Sequence, residues 1–273
     1  MPKIALLRVG FTFRPMYLEV HERLLIRLKN YCQEATILLN GDAKGLEWVA
    51  INWFSQDPIG LEEIRTKVDQ HTLNAERFGL PERRIAKIFV FRLIYGGSEW
   101  AYVYDPDFNW ISKSPDYWKK TIDAFYDKYR GIAKQHTLWV QEATTTGQLV
   151  MPTGRFYPFV RDAKGNWPRT KILNYPVQGL GHDLMAIARV SFKRRLDSDE
   201  FADIRHDIKL VSTVHDSIVV DTREEHIQRV AVCLRRVFSD IPRNFERLFD
   251  VSFNLPLEVE IQVGNDLLNM EEV

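Results

Sequence analysis

Two aspartates stand where the chain turns. Asp42 follows the apolar run from Ala35 to Leu39, at Asn40-Gly41-Asp42. Asp216 lies between two further apolar runs, residues 208–214 and 218–220. The first run predicts a strand ending at Asn40-Gly41-Asp42. The second pair predicts a tight hairpin with His215-Asp216-Ser217 at its tip. If both strands belong to one sheet, the two carboxylates meet at one edge. Hard dications such as Mg2+ take carboxylate, carbonyl and water oxygens, often from one or two protein carboxylates plus substrate phosphates. Two such ions about 3.5–4 Å apart can clamp the attacking and leaving oxygens of a phosphoryl displacement. For either aspartate alone, the alternative is a turn residue that bonds its own backbone.

A second pattern lies in residues 81–97. Pro81 near the first helical position and Gly96-Gly97 at the exit predict a helix over 81–95. Arg83, Lys87, Phe91 and Tyr95 recur every four residues, so they share one face. Two cations followed by two aromatic rings suit a ligand with a polyanionic end and a flat end, as in a nucleoside triphosphate. The alternative is an ordinary amphipathic helix, charged at one end and buried at the other.

These residues need elements to hold them. Helical spacing is expected over 17–32, 46–54 (stopped by Asp57-Pro58), 61–78, a long stretch after Ser114-Pro115-Asp116, and 177–196 after Asn174-Tyr175-Pro176. Residues 148–151 and 155–160 predict a hairpin, 162–168 a loop and 259–263 an edge strand. Thr222 and Glu225 predict a capping box that opens a helix carrying Ile227, Val230, Leu234 and Val237. Asp197 to Glu200 reads as a solvated loop. The fold class expected is α+β, with strands at both ends of the chain and an all-helical block at about 61–140.

Composition sets outer bounds. At 273 residues, 45% hydrophobic and 27% charged, the chain is of ordinary globular type with one or two domains. No run approaches the ~20 apolar residues of a membrane span, and the start is too short in its apolar part for a signal peptide. Cys32 and Cys233 have no metal-type spacing and are expected as free thiols in a cytosolic chain. Net charge is +0, which counts against a globally basic nucleic-acid binder. The charge is segregated, however. Residues 3–29 and 189–195 are basic-rich and the end from Glu258 is acidic, so a basic cleft fits inside the neutral total.

Five stretches in order resemble family A DNA polymerases of the DNA polymerase I type: Asp42-Ala43-Lys44-Gly45-Leu46-Glu47, Asp69-Gln70-His71, Arg83 through Gly96, Asn174-Tyr175-Pro176-Val177-Gln178-Gly179, and Val214-His215-Asp216-Ser217. The resemblance covers roughly residues 36–265. It implies a palm, an antiparallel sheet with helices, with an all-helical fingers subdomain inserted. The expected layout is residues 1–60 for an N-terminal helix and the first part of the palm, 61–140 for the fingers and 141–273 for the remaining palm. It implies two Mg2+ ions on Asp42 and Asp216, with the Ala43 carbonyl as a further ligand. Arg83 and Lys87, with His71 nearby, would hold the triphosphate, and Phe91 would pack on the incoming sugar and base. Glu47 and Tyr95 would crowd the 2′ position of that sugar. Gln178, His215 and Asn174 would touch the DNA.

The implied activity is template-directed nucleotidyl transfer from dNTPs to the primer end of a primer–template DNA. The chain departs from the family pattern at several points. Ser217 stands where many members carry Glu, Arg92 where Gly is usual, and Val49 and Thr170 where arginines are usual, with Arg169 adjacent to the latter. With 41 residues ahead of Asp42, a thumb and a proofreading exonuclease are expected to be absent. A second polypeptide bearing the thumb and its primer-gripping segment is the expected partner, as in a split, virally encoded polymerase. The setting is then cytoplasmic, in a bacterial host if viral. The alternative is a non-catalytic, polymerase-like subunit that binds DNA or acts as a scaffold.

Overall fold

The computed structural model describes residues 36–273 of the chain. The helix expected at 17–32, the basic residues from Lys3 to Lys29 and Cys32 lie outside the described residues. The first strand, β1 (Thr36–Ala43), is longer than its apolar run, so Asp42 lies inside the strand and not after it. Strand pairing carries it past Gly41, because a neighbour bonds it on each side. Residues along a strand alternate between sheet faces. Leu39, Gly41 and Ala43 take the buried face, and Asn40 and Asp42 the other, less buried one. A Cβ on Gly41 would come within 3.2 Å of the side chains of Leu234, on the helix behind the sheet, and Val259, so a larger residue would press both back by a few tenths of an ångström.

Every element of the next hundred residues is helical: α1 (Leu46–Ser55), α2 (Pro58–Arg65), α3 (Gln70–Phe78), α4 (Arg83–Ile94), α5 (Glu99–Val103), α6 (Pro115–Lys128) and α7 (Arg130–Thr146). Three sequence expectations are corrected here. Asp57-Pro58 does more than stop α1. Asp57 caps α2 by accepting from the N–H groups of Ile59 and Gly60, with Pro58 in the first turn. The stretch 61–78 is therefore two helices. Pro81 precedes α4, whose first residue is Arg83. The long helix after Pro115 breaks at Tyr129 (φ −107°, ψ 69°). The break turns the Tyr129 hydroxyl inward to Glu63 at 2.9 Å and Asn74 at 3.0 Å. Lys128 joins the same buried group at 2.8 Å from Glu63.

An aromatic cluster fills this helical block. Phe89, Tyr102, Phe108, Trp118 and Phe125 are fully buried. Tyr102 lies 5.1 Å from both Phe89 and Trp118, and its hydroxyl donates to the Phe89 carbonyl. Truncating one such ring costs about 3–5 kcal/mol.

A short hairpin, β2 (Gln148–Val150) with β3 (Phe156–Pro158), leads to α8 (Arg169–Leu196). This helix begins eight residues before the expected start, and Pro176 lies inside it. An internal proline costs about 3 kcal/mol. Burial of Ile172, Leu173 and Val177 on both sides of it offsets that. The helix α8 packs against α1 and α7. The sheet is completed by β4 (Lys209–Val214), β5 (Ser217–Arg223), β6 (Val259–Gly264) and β7 (Glu271–Glu272), in the antiparallel order β4-β5-β1-β6-β7. The strand expected at the edge, β6, is thus internal. Helices α9 (Ile227–Ser239) and α10 (Ile241–Phe249) pack on α8, and α9 also backs β1 and β6. Thr222 does not cap. It is the buried penultimate residue of β5, and a 3-10 turn at Glu224–His226 precedes α9. Asp199–Phe201 is also a 3-10 turn, and Glu200 pairs with Arg236. Cys233 is a buried free thiol, and no helix among the described residues is long and apolar enough to cross a membrane.

Candidate active site

Strand pairing brings the two aspartates together. Asp42 on β1 lies opposite Ser217, the first residue of β5, with His215-Asp216 as the turn before it. The Ala43 N–H donates to the Asp216 carbonyl at 2.9 Å, fastening the turn to β1. On the other side Asp42 lies opposite Glu260 of β6. Partners in register share a face, so Asp42 and Glu260 crowd one another. The Asp42 carboxyl is pushed up to about 6, by burial first, then by Asp216 and Glu260. Burial also raises Glu47, in the first turn of α1, and Asp216 adds to that.

Among the described residues, no three His, Cys, Asp or Glu side chains gather closely enough to hold a metal by themselves. A site built here has two aspartates and must draw its remaining ligands from backbone, water or substrate, which is the habit of Mg2+. The donors fit such an ion. All are hard oxygens, and the upward push on Asp42 marks negative charge that a cation would offset.

The opposite wall is α4. Its buried face carries Ile85, Ala86, Phe89, Val90, Leu93 and Ile94. The stripe of Arg83, Lys87, Phe91 and Tyr95 lies outside that face, with both cations exposed. Gly96 takes a left-handed turn (φ 78°) that ends the helix, as expected. Lys87 Nζ is 5.8 Å from the centre of the Phe91 ring, and the buried His71 ring is 5.7 Å from it on the α3 side. Burial, then Arg83 and Lys87, push His71 down to about 4, so it is neutral at pH 7.

Tyr95 ties the walls together. Its hydroxyl donates to Glu47 at 3.4 Å and accepts from Gln178 of α8 at 2.6 Å. Asn174 is one turn before Gln178 on the same helix, and its Oδ1 is buried without a partner. His215 is exposed at the turn beside Asp216, in the left-handed region (φ 53°). Neither makes a side-chain hydrogen bond to the other candidates among the described residues.

The departures have local explanations. Ser217 is buried, and its hydroxyl is engaged by the Val214 carbonyl within its own hairpin. Val49 is buried in α1, where an arginine would be costly. Thr170 and Arg169 are both exposed at the start of α8. Among the described residues, Arg92 bonds none of the candidate site residues. It pairs with Asp105, donates to the Ala101 carbonyl at 2.8 Å and lies 4.8 Å over the Phe108 ring. Glu260 escaped the sequence reading because it sits in the acidic end of the chain, and only strand register sets it beside Asp42.

Known proteins resemble this chain in sequence and fold. The family model described as DNA polymerase family A matches residues 18–269. Among similar proteins is DNA polymerase I of Lactococcus lactis subsp. lactis (strain IL1403), 24% identical over 244 residues, with 84% of this chain and 26% of that protein covered. Another is the thermostable DNA polymerase I of Thermus aquaticus, 24% identical over 268 residues, with 90% and 29% covered. The chain thus spans about a quarter of the length of these curated relatives. Its fold is similar to the POL domain of Pol1 from M. smegmatis, solved in complex with DNA primer-template and dNTP. That match has a TM-score of 0.70 at 19% identity, over 86% of this chain and 40% of the other.

Proposed function

The chain belongs to DNA polymerase family A, and from that premise we propose that it performs template-directed DNA synthesis by two-metal nucleotidyl transfer from dNTPs to a primer 3′ end. The observation that carries this reading is the hydrogen-bonded series Glu47–Tyr95–Gln178, whose Glu47 feels the charges of both Asp216 and Lys87 and so sits between the aspartate edge and the cationic stripe of α4. In this reading residues 61–140 act as fingers and the sheet with its helices as palm. Asp42, Asp216 and the Ala43 carbonyl would hold Mg2+, which when bound activates the primer hydroxyl and offsets charge on the phosphates. Arg83 and Lys87 hold the triphosphate by charge, and catalysis is otherwise positioning. Neutral His71 borders the triphosphate as a hydrogen-bonding group without adding charge. Phe91 packs on the incoming sugar and base. Glu47 and Tyr95, bonded to each other, leave no room for a 2′-hydroxyl and so reject ribonucleotides by clash. Gln178, Asn174 and His215 touch the primer–template, where the minor groove reports pair geometry more than sequence. A primer-gripping thumb, on this polypeptide or on a second one, completes the enzyme, and the setting is cytoplasmic.

Primer extension with Mg2+ and the four dNTPs, with and without a thumb-bearing polypeptide, tests the proposal. Asp42→Asn and Asp216→Asn should each abolish extension while keeping the wild-type circular dichroism spectrum. Extension that survives either change refutes the metal assignment. A chain that binds primer–template but never extends it, with any thumb supplied, is the non-catalytic subunit of the alternative reading.

A further inference from the structure

Asp69 is the residue ahead of α3, and one carboxylate there has three bonds. Its Oδ1 accepts the His71 backbone N–H at 3.2 Å, which caps α3. Its Oδ2 accepts the Thr72 hydroxyl at 2.7 Å and the Arg83 Nε at 2.6 Å. Thus the start of α3 and the start of α4 are tied to a single side chain. The bond to Arg83 uses Nε, and the two terminal nitrogens of that guanidinium have no protein partner among the described residues. A guanidinium presents parallel N–H groups that match a phosphate in bidentate fashion. With Nε engaged, the outer fork is the part left for a ligand. Partial burial pushes the Asp69 carboxyl up, but the hydrogen bonds from Arg83 and Thr72 outweigh it and bring it down to about 2, so it stays ionised at any working pH.

We propose that Asp69 is a positioning residue for nucleotide binding: it fixes the Arg83 guanidinium with its outer fork free for the triphosphate and holds His71 beside Phe91. The proposal rests on the reading of Arg83 as a triphosphate contact. It gives Asp69 a purpose beyond capping. Two exposed side chains gain little stability from pairing, but a preset cation spares the nucleotide the entropy of ordering it.

Substitution separates the two tasks of this carboxylate. Asn accepts the His71 N–H as well as Asp does, but carries no charge for Arg83. The measurement is dNTP binding in the presence of Mg2+ and primer–template, by isothermal titration, alongside KM and kcat. Asp69→Asn should unfold at the wild-type temperature, weaken dNTP binding on the order of tenfold through KM and leave kcat nearly unchanged. Asp69→Glu should recover part of the loss. In an Arg83→Gln background the same Asp69→Asn change should have no further effect, since its influence passes through Arg83. Wild-type dNTP affinity in Asp69→Asn, or a full additional loss on top of Arg83→Gln, overturns the proposal while leaving the polymerase reading intact. Failure of the wild-type chain to bind dNTP at all removes the triphosphate reading, and this proposal with it.

Discussion

Replacing Arg92 by Ala removes a clamp between α4 and the segment that follows it, and the cost can be worked out from its contacts. The Arg92 and Asp105 side chains are only 19% and 23% exposed, so solvent screens the pair little. A hydrogen bond made by a charged group contributes about 1.5–3 kcal/mol. The guanidinium over Phe108 adds roughly 1 kcal/mol. Against this, the freed side chain regains up to ~2 kcal/mol of rotamer entropy, and Ala is the best helix former. Asp105 is not stranded, because its Oδ1 still accepts the Asp107 N–H at 2.7 Å. The net loss should be about 2 kcal/mol, or roughly 4–8 °C in Tm for a chain of this length. Urea unfolding of Arg92→Ala, Asp105→Asn and the double variant gives the assay. The cycle should return a coupling energy of about 1–2 kcal/mol. Arg92→Gly, which restores the usual family residue, should cost a further ~1 kcal/mol from helix propensity. A loss below ~0.5 kcal/mol for Arg92→Ala, or zero coupling to Asp105, would refute the clamp.

Acid should destabilise the fold through His136, which burial and then Arg169 push down to about 3. A depressed folded value means that its stabilisation is complete above the unfolded value of 6.5 and is lost as pH falls, so about 2 kcal/mol should go between pH 7 and 5. His71 acts in the same direction. An unfolding free energy that is flat over this range contradicts the burial of a neutral His136. His215 holds a left-handed φ of 53° without being glycine, which costs about 1 kcal/mol, so His215→Gly should raise stability by that amount while lowering primer extension. A Tm that falls instead means that His215 bonds something which offsets its strain. In the proposed role Phe91 would meet the sugar without a hydroxyl. Wild-type chain should therefore discriminate against dideoxynucleotides, and Phe91→Tyr should narrow the ratio by roughly 10-fold or more, the worth of one hydrogen bond to a charged group. Equal ratios in competitive incorporation would remove Phe91 from the sugar.

The site was legible in the sequence wherever a local pattern set the geometry. The stripe of α4 follows from four-residue spacing alone, and the structure leaves its two cations exposed and its two rings half-buried. The two aspartates were placed at one edge by their apolar flanks, although β1 proved to run through Asp42. What stayed hidden depends on contacts distant in sequence. Glu260 reaches Asp42 only through the register of β6 on β1. The break at Tyr129 arises because Glu63 and Asn74 offer its hydroxyl buried partners more than fifty residues away. Pro176 reads locally as a helix boundary, yet packing on both sides holds α8 continuous through it. Thr222 looks like a cap until β5 claims it as a strand residue. In these cases tertiary contacts outweigh a local preference, worth about 1 kcal/mol for a cap and about 3 kcal/mol for an internal proline.

The place of β1 in the sheet has a further consequence. It is hydrogen-bonded to β5 along one side and β6 along the other, with α9 behind. Its amide protons can exchange with solvent only when the whole sheet opens, so they should be among the slowest in the molecule. The outer strands β4 and β7 each pair on one side only among the described residues, so they can fray alone. Asp42 thus rides on a strand bonded along both sides, whereas Arg83 of α4 is tied to the exposed carboxylate of Asp69. Under rising denaturant the Arg83–Asp69 tie should loosen first, and the carboxylate edge should endure until the sheet melts.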